Sequence, residues 1–452
     1  MTSIVIIVRS NTPISAQRLR DKLINSAVAL ASVPHPVDVT LRRVADMHGV
    51  HINEVRQIFP DDRALIDAAK AYLRQMFVDF MPAPNAEGFD EALTEVIIHF
   101  AKFSTANAQI CRAMCNLFAL SPDITDTHAN PVYETLNALI LREAPGVSEW
   151  VRVTRSLAIL SALHGYAHLC TAGVLRHLST PVKDHLAVAL ASHIVAGIGD
   201  SLHSGCGLVI EPHHIVGPLD LSPVPSAKSF PRANCEEAKM ALFRGAVEIA
   251  INRGVDMVTF DDAAAQAGLT MERARCLVTP DEPLHLQLER YMNSLVAGAI
   301  RKQMNEAAGS SSLLAQGKAN SLGYVAFALT DPVGLDVFTE VCSGSIITTN
   351  FASGNSHFEQ DEAFEILVKL VRDLIVEGGG PQEAWALYES TLVLWCVCHG
   401  LAHGVSGGPM HRLPLKVKID IAGPVMDLNL EGFIKRLELD LPGAVREEIV
   451  RR

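Results

Sequence analysis

The chain is poor in several features by which major protein classes are identified. The stretch closest to a membrane span, 157–175, is interrupted by two histidines and two glycines, so no membrane helix is predicted. The apolar run 4–8 is short and no basic residue precedes it, so a secretory signal is not expected either. Lysine and arginine number 38 against 50 acidic residues, and the net charge of −12 argues against a protein that coats nucleic acid non-specifically.

Motifs of common enzymes and metal proteins are also missing. The sequence has no P-loop, no GxGxxG fingerprint, no GxSxG elbow and no spaced carboxylate pair, so neither an enzyme nor a bound cofactor is predicted. The nine cysteines form no pair with zinc-ribbon spacing and lie mainly on apolar helical faces. We therefore expect reduced thiols in the core of a cytoplasmic protein.

Helical periodicity extends over most of the chain. Alanine, leucine and valine are common, and charged residues are interspersed, as in ordered helical proteins. The proline-rich stretch 205–234 has no helical period and is predicted to be a linker between two halves. The pattern predicts an all-α fold, with helices of the first half at 15–32, 62–80, 89–118, 130–142, 147–178 and 181–198.

The stretch 39–66 has the pattern of two short helices joined by a tight turn. Thr40 is a good cap for the first helix, because its hydroxyl can accept a hydrogen bond from a free backbone N–H. Gly49 follows, and glycine tolerates the left-handed conformation that such a turn requires. The second helix carries Ile52, Val55 and Phe59 inward and ends at Pro60. This pattern predicts a helix-turn-helix, called the first reader below.

The same pattern occurs again at 258–286, called the second reader below. Gly268 matches Gly49, a shift of 268 − 49 = 219 positions, close to half the chain. A second repeat supports the first, since residues 164–168 are HGYAH and residues 399–403 are HGLAH. Two readers and two matching late helices indicate that a whole protein, rather than a motif, has been duplicated.

These residues resemble the TetR family of transcriptional regulators. The strongest match is ALFRGAVEIAINRGVDMVTFDDAAAQAGLT in the second half, and YVAFALTDPVGLDVF and HGLAH are similar to parts of that family's ligand-binding domain. The resemblance implies two helical units in one chain, a pseudo-dimer joined by the HGYAH and HGLAH helices. It implies DNA-binding at 1–80 and 235–292, helical ligand-binding and dimerisation domains at 81–204 and 293–452, and a small, lipophilic effector.

Reading a double-stranded DNA operator requires cations for phosphates and forked side chains for base edges. Two departures from the family are notable: Arg56 and Arg275 replace an aromatic residue, and Asp62 and Asp281 replace a lysine that meets a phosphate. We expect the two readers to bind unequal half-sites; the alternative is that the second reader is degenerate. The residues predicted to contact DNA are Thr40, Arg42, Arg43, His51, Asn53, Arg56, Gln57 and Arg63, and Thr259, Thr270, Arg273 and Arg275.

The two HGxAH motifs place pairs of histidines on one helical face, a spacing that can bind metal. Gly165 and Gly400 stand where an HExxH hydrolase has its glutamate, so a structural or pocket role is preferred and no metal is predicted. The residues predicted to line ligand pockets are His99, Phe103, Met114, Trp150 and His164 in the first half, and Phe327, Phe338, Phe351, Trp395 and His399 in the second.

Together these features predict a ligand-responsive DNA-binding transcriptional regulator, expected to be a repressor. The alternative is a degenerate sensor or protein-binding module that has lost its affinity for DNA. The acids at positions 62 and 281 and the net charge favour the alternative.

Overall fold

We describe the chain in a computed structural model. The residues that the structure describes are 16–32, 38–81, 86–120, 130–203, 206–210, 221, 235–253, 257–279, 282–306, 312–341, 362–441 and 444–448. Phe351, one of the predicted pocket residues, and Asp281 lie outside these residues, as does most of the predicted linker.

Nine α-helices are described in the first half of the chain. The two helices of the helix-turn-helix, α2 and α3, are the shortest, and α8 and α9 are the longest. Their bounds are α1 (Ala16–Ala31), α2 (Leu41–His48), α3 (Ile52–Ile58), α4 (Asp62–Phe80), α5 (Phe89–Ala106), α6 (Ala108–Leu117), α7 (Pro131–Glu143), α8 (Glu149–Thr171) and α9 (Thr180–His203). A 3-10 turn, Val174–His177, lies between the last two.

Nine further α-helices are described in the second half, and three of them have the same lengths as their counterparts in the first half. The matched pairs α5/α14, α6/α15 and α8/α17 have 18, 10 and 23 residues in both members. The bounds are α10 (Cys235–Arg253), α11 (Phe260–Gln266), α12 (Met271–Arg275), α13 (Leu284–Glu306), α14 (Leu313–Thr330), α15 (Pro332–Val341), α16 (Glu362–Glu377), α17 (Ala384–Ser406) and α18 (Leu415–Arg436). The predicted all-α class is confirmed.

Two details differ from the sequence prediction. The helix expected at 89–118 is two helices, because Asn107 leaves helical geometry and its side chain binds the carbonyl of Phe103 at the end of α5. The predicted linker 205–234 begins with a strand, β1 (Cys206–Ile210), which pairs antiparallel with β2 (Ala444–Glu448). The sequence pattern did not indicate this strand, because a strand formed by pairing across more than 230 residues leaves no local signal.

The chain divides into two compact units. The first is Met1–Asp79 with Gln109–Leu117, and the second is Phe80–Ala108 with Phe118–Arg452. The first unit has a core that includes the fully buried Leu23, Val44 and Val55. In the second unit, α8 and α17 are buried on nearly all sides, as expected for helices that are apolar all round. Among the helices described in either unit, none has the length and apolarity that crossing a membrane demands.

Candidate functional site

The first reader has the local geometry that its sequence predicts. The Thr40 hydroxyl accepts the N–H of Arg43 at 3.3 Å and caps α2. Gly49 follows with φ of 61°, in the left-handed region, so a side chain there would be strained. Val55 and Phe59 are buried, and the guanidinium of Arg20 lies 4.8 Å from the centre of the Phe59 ring. The predicted cap and turn are confirmed, as are the inward positions of Val55 and Phe59, whereas Ile52 is half-buried.

The second reader repeats these devices at equivalent positions. The Thr259 hydroxyl accepts the N–H of Asp262 at 3.2 Å, and the Thr270 hydroxyl accepts that of Arg273 at 3.3 Å. Gly268 has φ of 66°, within a few degrees of Gly49. The local chain path of a helix-turn-helix is therefore present in both halves, each within its own unit.

Nearly all the side chains predicted to contact DNA are exposed. In the first reader Thr40 is half-buried, and Arg63 makes a solvent-exposed i,i+4 ion pair with Asp67. Arg42 and Arg56 border one open groove together with Asp61 and Asp62. The exposed predicted residues are Arg42, Arg43, His51, Asn53, Arg56, Gln57 and Arg63 in the first unit, and Thr259, Thr270, Arg273 and Arg275 in the second.

Asp62 has a structural partner that the sequence comparison did not anticipate. Its Oδ1 accepts the backbone N–H of Leu41 at 2.7 Å, at the first residue of α2. An N–H at the start of a helix is a natural anion-binding group. The Asp62 carboxylate therefore occupies a position in the first reader where a phosphate could otherwise bind.

The second reader is tied differently to the helix that follows it. The side-chain amide of Gln287 accepts the N–H of Thr279 at 3.0 Å and donates to the carbonyls of Thr279 and Glu282. Glu282 also forms an ion pair with Arg290. The backbone thus follows the same local path in the two readers, but the polar contacts at the start of the helix after each reader differ.

The HGYAH and HGLAH segments meet where α8 and α17 cross inside the second unit. The Nε2 of His164 lies 2.8 Å from the Nδ1 of His403, and the Nε2 of His399 lies 2.9 Å from the Nδ1 of His168. The rings of His168 and His403 stack with centres 3.9 Å apart. The four histidines form a compact cluster, called the histidine tetrad below.

Glycine next to each first histidine allows this close approach. A Cβ on Gly165 would lie 1.8 Å from the carbonyl oxygen of Cys396, and one on Gly400 would lie 1.7 Å from that of Ser161. These contacts are equivalent with the partners exchanged, because 400 − 165 and 396 − 161 both give 235. The histidine pairs obey the same shift. The two HGxAH helices therefore pack directly against each other at their glycines.

The exchange extends to the neighbouring helices α9 and α18. A Cβ on Gly197 would lie 2.6 Å from the carbonyl oxygen of Leu428, and one on Gly432 would lie 2.3 Å from that of His193. These pairs again differ by 235 positions. Each of these glycine–carbonyl contacts therefore occurs twice among the four helices, the second time with the two partners exchanged.

The hydrogen bonds between the tetrad's histidine pairs can form with neutral rings. Tyr324 Oη lies 2.9 Å from His399 Nδ1, and Asp336 Oδ1 lies 3.5 Å from His403 Nε2. If His164 and His399 carry their proton on Nε2, each can donate to its partner histidine. Burial, and then His403, lower the pKa of both His164 and His399 well below the usual value, so both rings are neutral near pH 7. Among the described residues, no three His, Cys, Asp or Glu side chains form a group that could hold a metal ion.

A narrow apolar cavity lies close to the tetrad within the second unit. It is bordered by α13 to α18 and encloses about 580 Å³ between atoms, including space open to solvent. Only a small part of this space is wide enough for a water molecule, so the cavity is slender. Asn320 and Tyr324, one turn apart on α14, both border it. Tyr324 therefore joins the cavity wall to the tetrad through His399.

The predicted pocket residues are distributed among several environments. Phe338 and Trp395 border the cavity, and His399 is linked to its wall, whereas Phe327 is buried outside the residues that line it. In the first half, Phe103 is buried against Phe80, Trp150 is 47% exposed, and His164 belongs to the tetrad. Met114 is buried in the first unit and His99 is half-buried in the second.

Asn320 and Tyr324 were missed in the sequence. Both lie in α14 among glycine, alanine and serine residues, where neither periodicity nor a motif marks them. The i,i+4 spacing of two polar residues in an apolar helix is the one available signal. Compared with known proteins, the chain matches no family model and no curated protein.

Proposed function

We propose that the chain is a ligand-responsive DNA-binding transcriptional regulator, expected to be a repressor, built from two TetR-like units that pair within one chain. The resemblance of its motifs to that family supports this proposal. So do the two capped helix-turn-helix segments with left-handed glycines at equivalent positions. The equal lengths of three matched helix pairs fit two copies of one unit.

The observation that carries the proposal is the exchange of equivalent contacts between α8 and α17. In a two-fold interface, residue i contacts residue j and the equivalent of j contacts the equivalent of i. The contacts of Gly165 and Gly400 with backbone carbonyls, and both histidine pairs, follow this rule at one constant shift. Such pairing supplies two readers in one molecule, which is what an operator with two half-sites requires.

The exposed side chains of the first reader suit base recognition. Asn53 and Gln57 can each form two hydrogen bonds with adenine, and Arg56 can form two with guanine. In the second reader the exposed Arg273 and Arg275 are accompanied by the exposed acids Asp261, Asp262 and Glu272. The two half-sites are therefore unequal, and the first reader contributes more affinity.

The proposed response to ligand begins at the cavity of the second unit. A ligand can shift a conformational equilibrium only if it binds one state more tightly than another. Tyr324 borders the cavity and is bonded to His399, so a ligand that moves Tyr324 also changes the tetrad at the crossing of α8 and α17. A small, lipophilic effector in this cavity thereby favours an arrangement of the readers that binds the operator less well.

Selection from a random pool of DNA duplexes tests the proposal. Full-length protein is incubated with the pool, bound DNA is recovered and sequenced, and the selection is repeated with the Arg56→Ala variant as the matched control. We expect enrichment of a site with two unequal half-sites, and loss of the stronger one in the variant. A pool that is not enriched above a protein-free control would contradict the proposal.

One observation favours a second function, a sensor or protein-binding module without DNA affinity. Asp62 places a carboxylate on the N–H of Leu41, and Asp46 and Asp61 border the same groove as Arg56. Carboxylates at this surface repel phosphates. This alternative predicts ligand binding in the cavity but no enrichment of any DNA sequence.

A further inference from the structure

The cavity in the second unit is chemically distinctive in carrying no charge. None of its described lining residues is Asp, Glu, Lys, Arg or His. Lys318 is a buried cation on α14, but its Nζ lies 2.7 Å from Asp427 Oδ1 and it does not line the cavity. A charged ligand group placed here would lose its hydration without gaining an opposite charge. The cavity therefore selects for uncharged molecules.

One polar group in the cavity wall is left unsatisfied. Asn320 is 4% exposed, and its Nδ2 has no hydrogen-bond partner among the described residues. Other polar groups in this wall are bonded, since Tyr324 Oη lies 2.9 Å from His399 Nδ1 and the Cys398 thiol donates to the carbonyl of Ser321. Buried amides nearly always have partners, so an unsatisfied amide in the wall of a cavity requires an explanation.

We propose that the cavity binds an uncharged, slender, mostly apolar molecule with one hydrogen-bond acceptor, a ketone, ester or lactone carbonyl, and that Asn320 donates to this acceptor. The inference rests on the proposed function, which makes this cavity the effector site. The apolar chain packs against residues such as Phe338, Phe364 and Trp395.

The position of Asn320 also brings a bound carbonyl close to Tyr324. Tyr324 is one helical turn further along α14 and also borders the cavity, so an acceptor held by Asn320 lies beside the hydroxyl that bonds to His399. A carbonyl in this place competes with His399 for the Tyr324 proton. An alkane of the same length can fill the cavity, but it has no acceptor and so does not compete for this proton.

The test compares three nine-carbon probes: 2-nonanone, nonane and nonanoate. The protein carries Trp150→Phe and Trp385→Phe, which remove the two exposed tryptophans and leave Trp395, in the cavity wall, as the fluorescent reporter. We expect 2-nonanone to bind about tenfold more tightly than nonane, the usual effect of one hydrogen bond to a buried group, and nonanoate to bind more weakly than both.

The variant Asn320→Leu has nearly the same side-chain shape without the amide. We expect it to bind nonane at least as well as the parent protein and to lose the tenfold preference for the ketone, and nonane binding shows that it has folded. In the parent protein, the infrared carbonyl band of 13C-labelled 2-nonanone should also shift to lower wavenumber on binding, which tests the bond without any substitution at position 320.

Equal binding of ketone and alkane, tighter binding of nonanoate, an unshifted carbonyl band or no response of Trp395 to any probe would each overturn the inference. All these measurements are made without DNA. If the chain selects an operator but the probe measurements fail, this inference is lost and DNA-binding regulation stands. If the probe measurements succeed but no DNA is selected, the chain is the sensor without DNA affinity described above.

Discussion

Gly165 and Gly400 face each other across the crossing of α8 and α17. A Cβ on Gly165 would lie 2.7 Å from the backbone nitrogen of Gly400, and a Cβ on Gly400 would lie 2.6 Å from that of Gly165. Both distances are too short for any side chain, and the neighbouring atoms belong to backbone that cannot turn away. The approach of the two helices, and with it the histidine tetrad, depends on these two glycines.

Gly165→Ala or Gly400→Ala should therefore destabilise the second unit by about 3 kcal/mol, the upper range for forcing an extra methyl group into a packed core. The measurement is urea denaturation followed by tryptophan fluorescence. Gly298→Ala is the matched control, because Gly298 lies in helix α13 with no described atom within 4 Å of its added Cβ. It should raise the free energy of unfolding by about 0.5–1 kcal/mol. Similar losses in the control and the crossing variants would contradict this account of the contact.

Stability should fall in acid because several buried histidines are held neutral. Burial lowers the pKa of His164, His399 and His193, the last to about 3. Below the unfolded value of about 6.5 the unfolded chain takes up protons that the folded chain refuses, so each histidine costs about 1.4 kcal/mol per pH unit. The free energy of unfolding should be highest above pH 6.5 and decline steeply toward pH 5.

His193→Gln provides the control for this pH dependence. It removes one of the three groups, so the decline below pH 6.5 should become shallower by about a third. Urea denaturation at half-unit steps from pH 7.5 to 5 measures both slopes. A parent protein whose stability is level over this range would show that these rings accept protons without unfolding.

Asp62→Asn should strengthen DNA binding by the first reader. The amide oxygen of asparagine can still accept the N–H of Leu41, so stability should change little, while the repulsion between a carboxylate and a phosphate disappears. We expect affinity for the selected duplex to rise about threefold to tenfold at low salt. Fluorescence anisotropy with labelled duplex measures the change.

Asp79→Asn makes the same change of charge at the other end of α4. The helical rise places it roughly 25 Å from Asp62, well beyond a Debye length of about 10 Å, so it should leave DNA affinity unchanged. If both variants gain affinity equally, net charge rather than the local contact of Asp62 is responsible.

Arg56→Ala and Arg275→Ala should have unequal effects on binding to one operator. Loss of an arginine that forms two hydrogen bonds with guanine costs about 1–3 kcal/mol. We expect a loss in this range for Arg56→Ala and a clearly smaller one for Arg275→Ala, because the second reader also carries three exposed acids. Titrations of both variants with the same duplex provide the comparison, and equal losses would refute the asymmetry of the two readers.

Local features of the fold were predictable from the sequence, whereas the site depended on distant pairings. The bounds of α4, the cap at Thr40 and the turn at Gly49 follow from residues within a few positions of one another. The pairing of β1 with β2 joins segments more than 230 residues apart in the chain, and neither segment indicates its partner.

The site shows the same division between local and distant information. The family resemblance implied that the two helices bearing HGxAH meet. It did not predict which ring nitrogens pair, or that Tyr324 links His399 to a cavity, since these depend on three helices brought together by folding. Asp62 was recognised as a departure from the family, but its bond to Leu41 is a feature of the folded reader.

The salt dependence of binding to DNA from upstream of the chain's own gene tests the central claim most directly. A specific reader releases about one counterion per phosphate contact, so the logarithm of its affinity falls linearly with the logarithm of salt concentration. With about four or more phosphate contacts shared by the two readers, we predict a slope of about −4 or steeper between 50 and 200 mM salt, and retention of the fragment at the low end. A chain that retains no upstream fragment at low salt would contradict the account of a DNA-binding regulator.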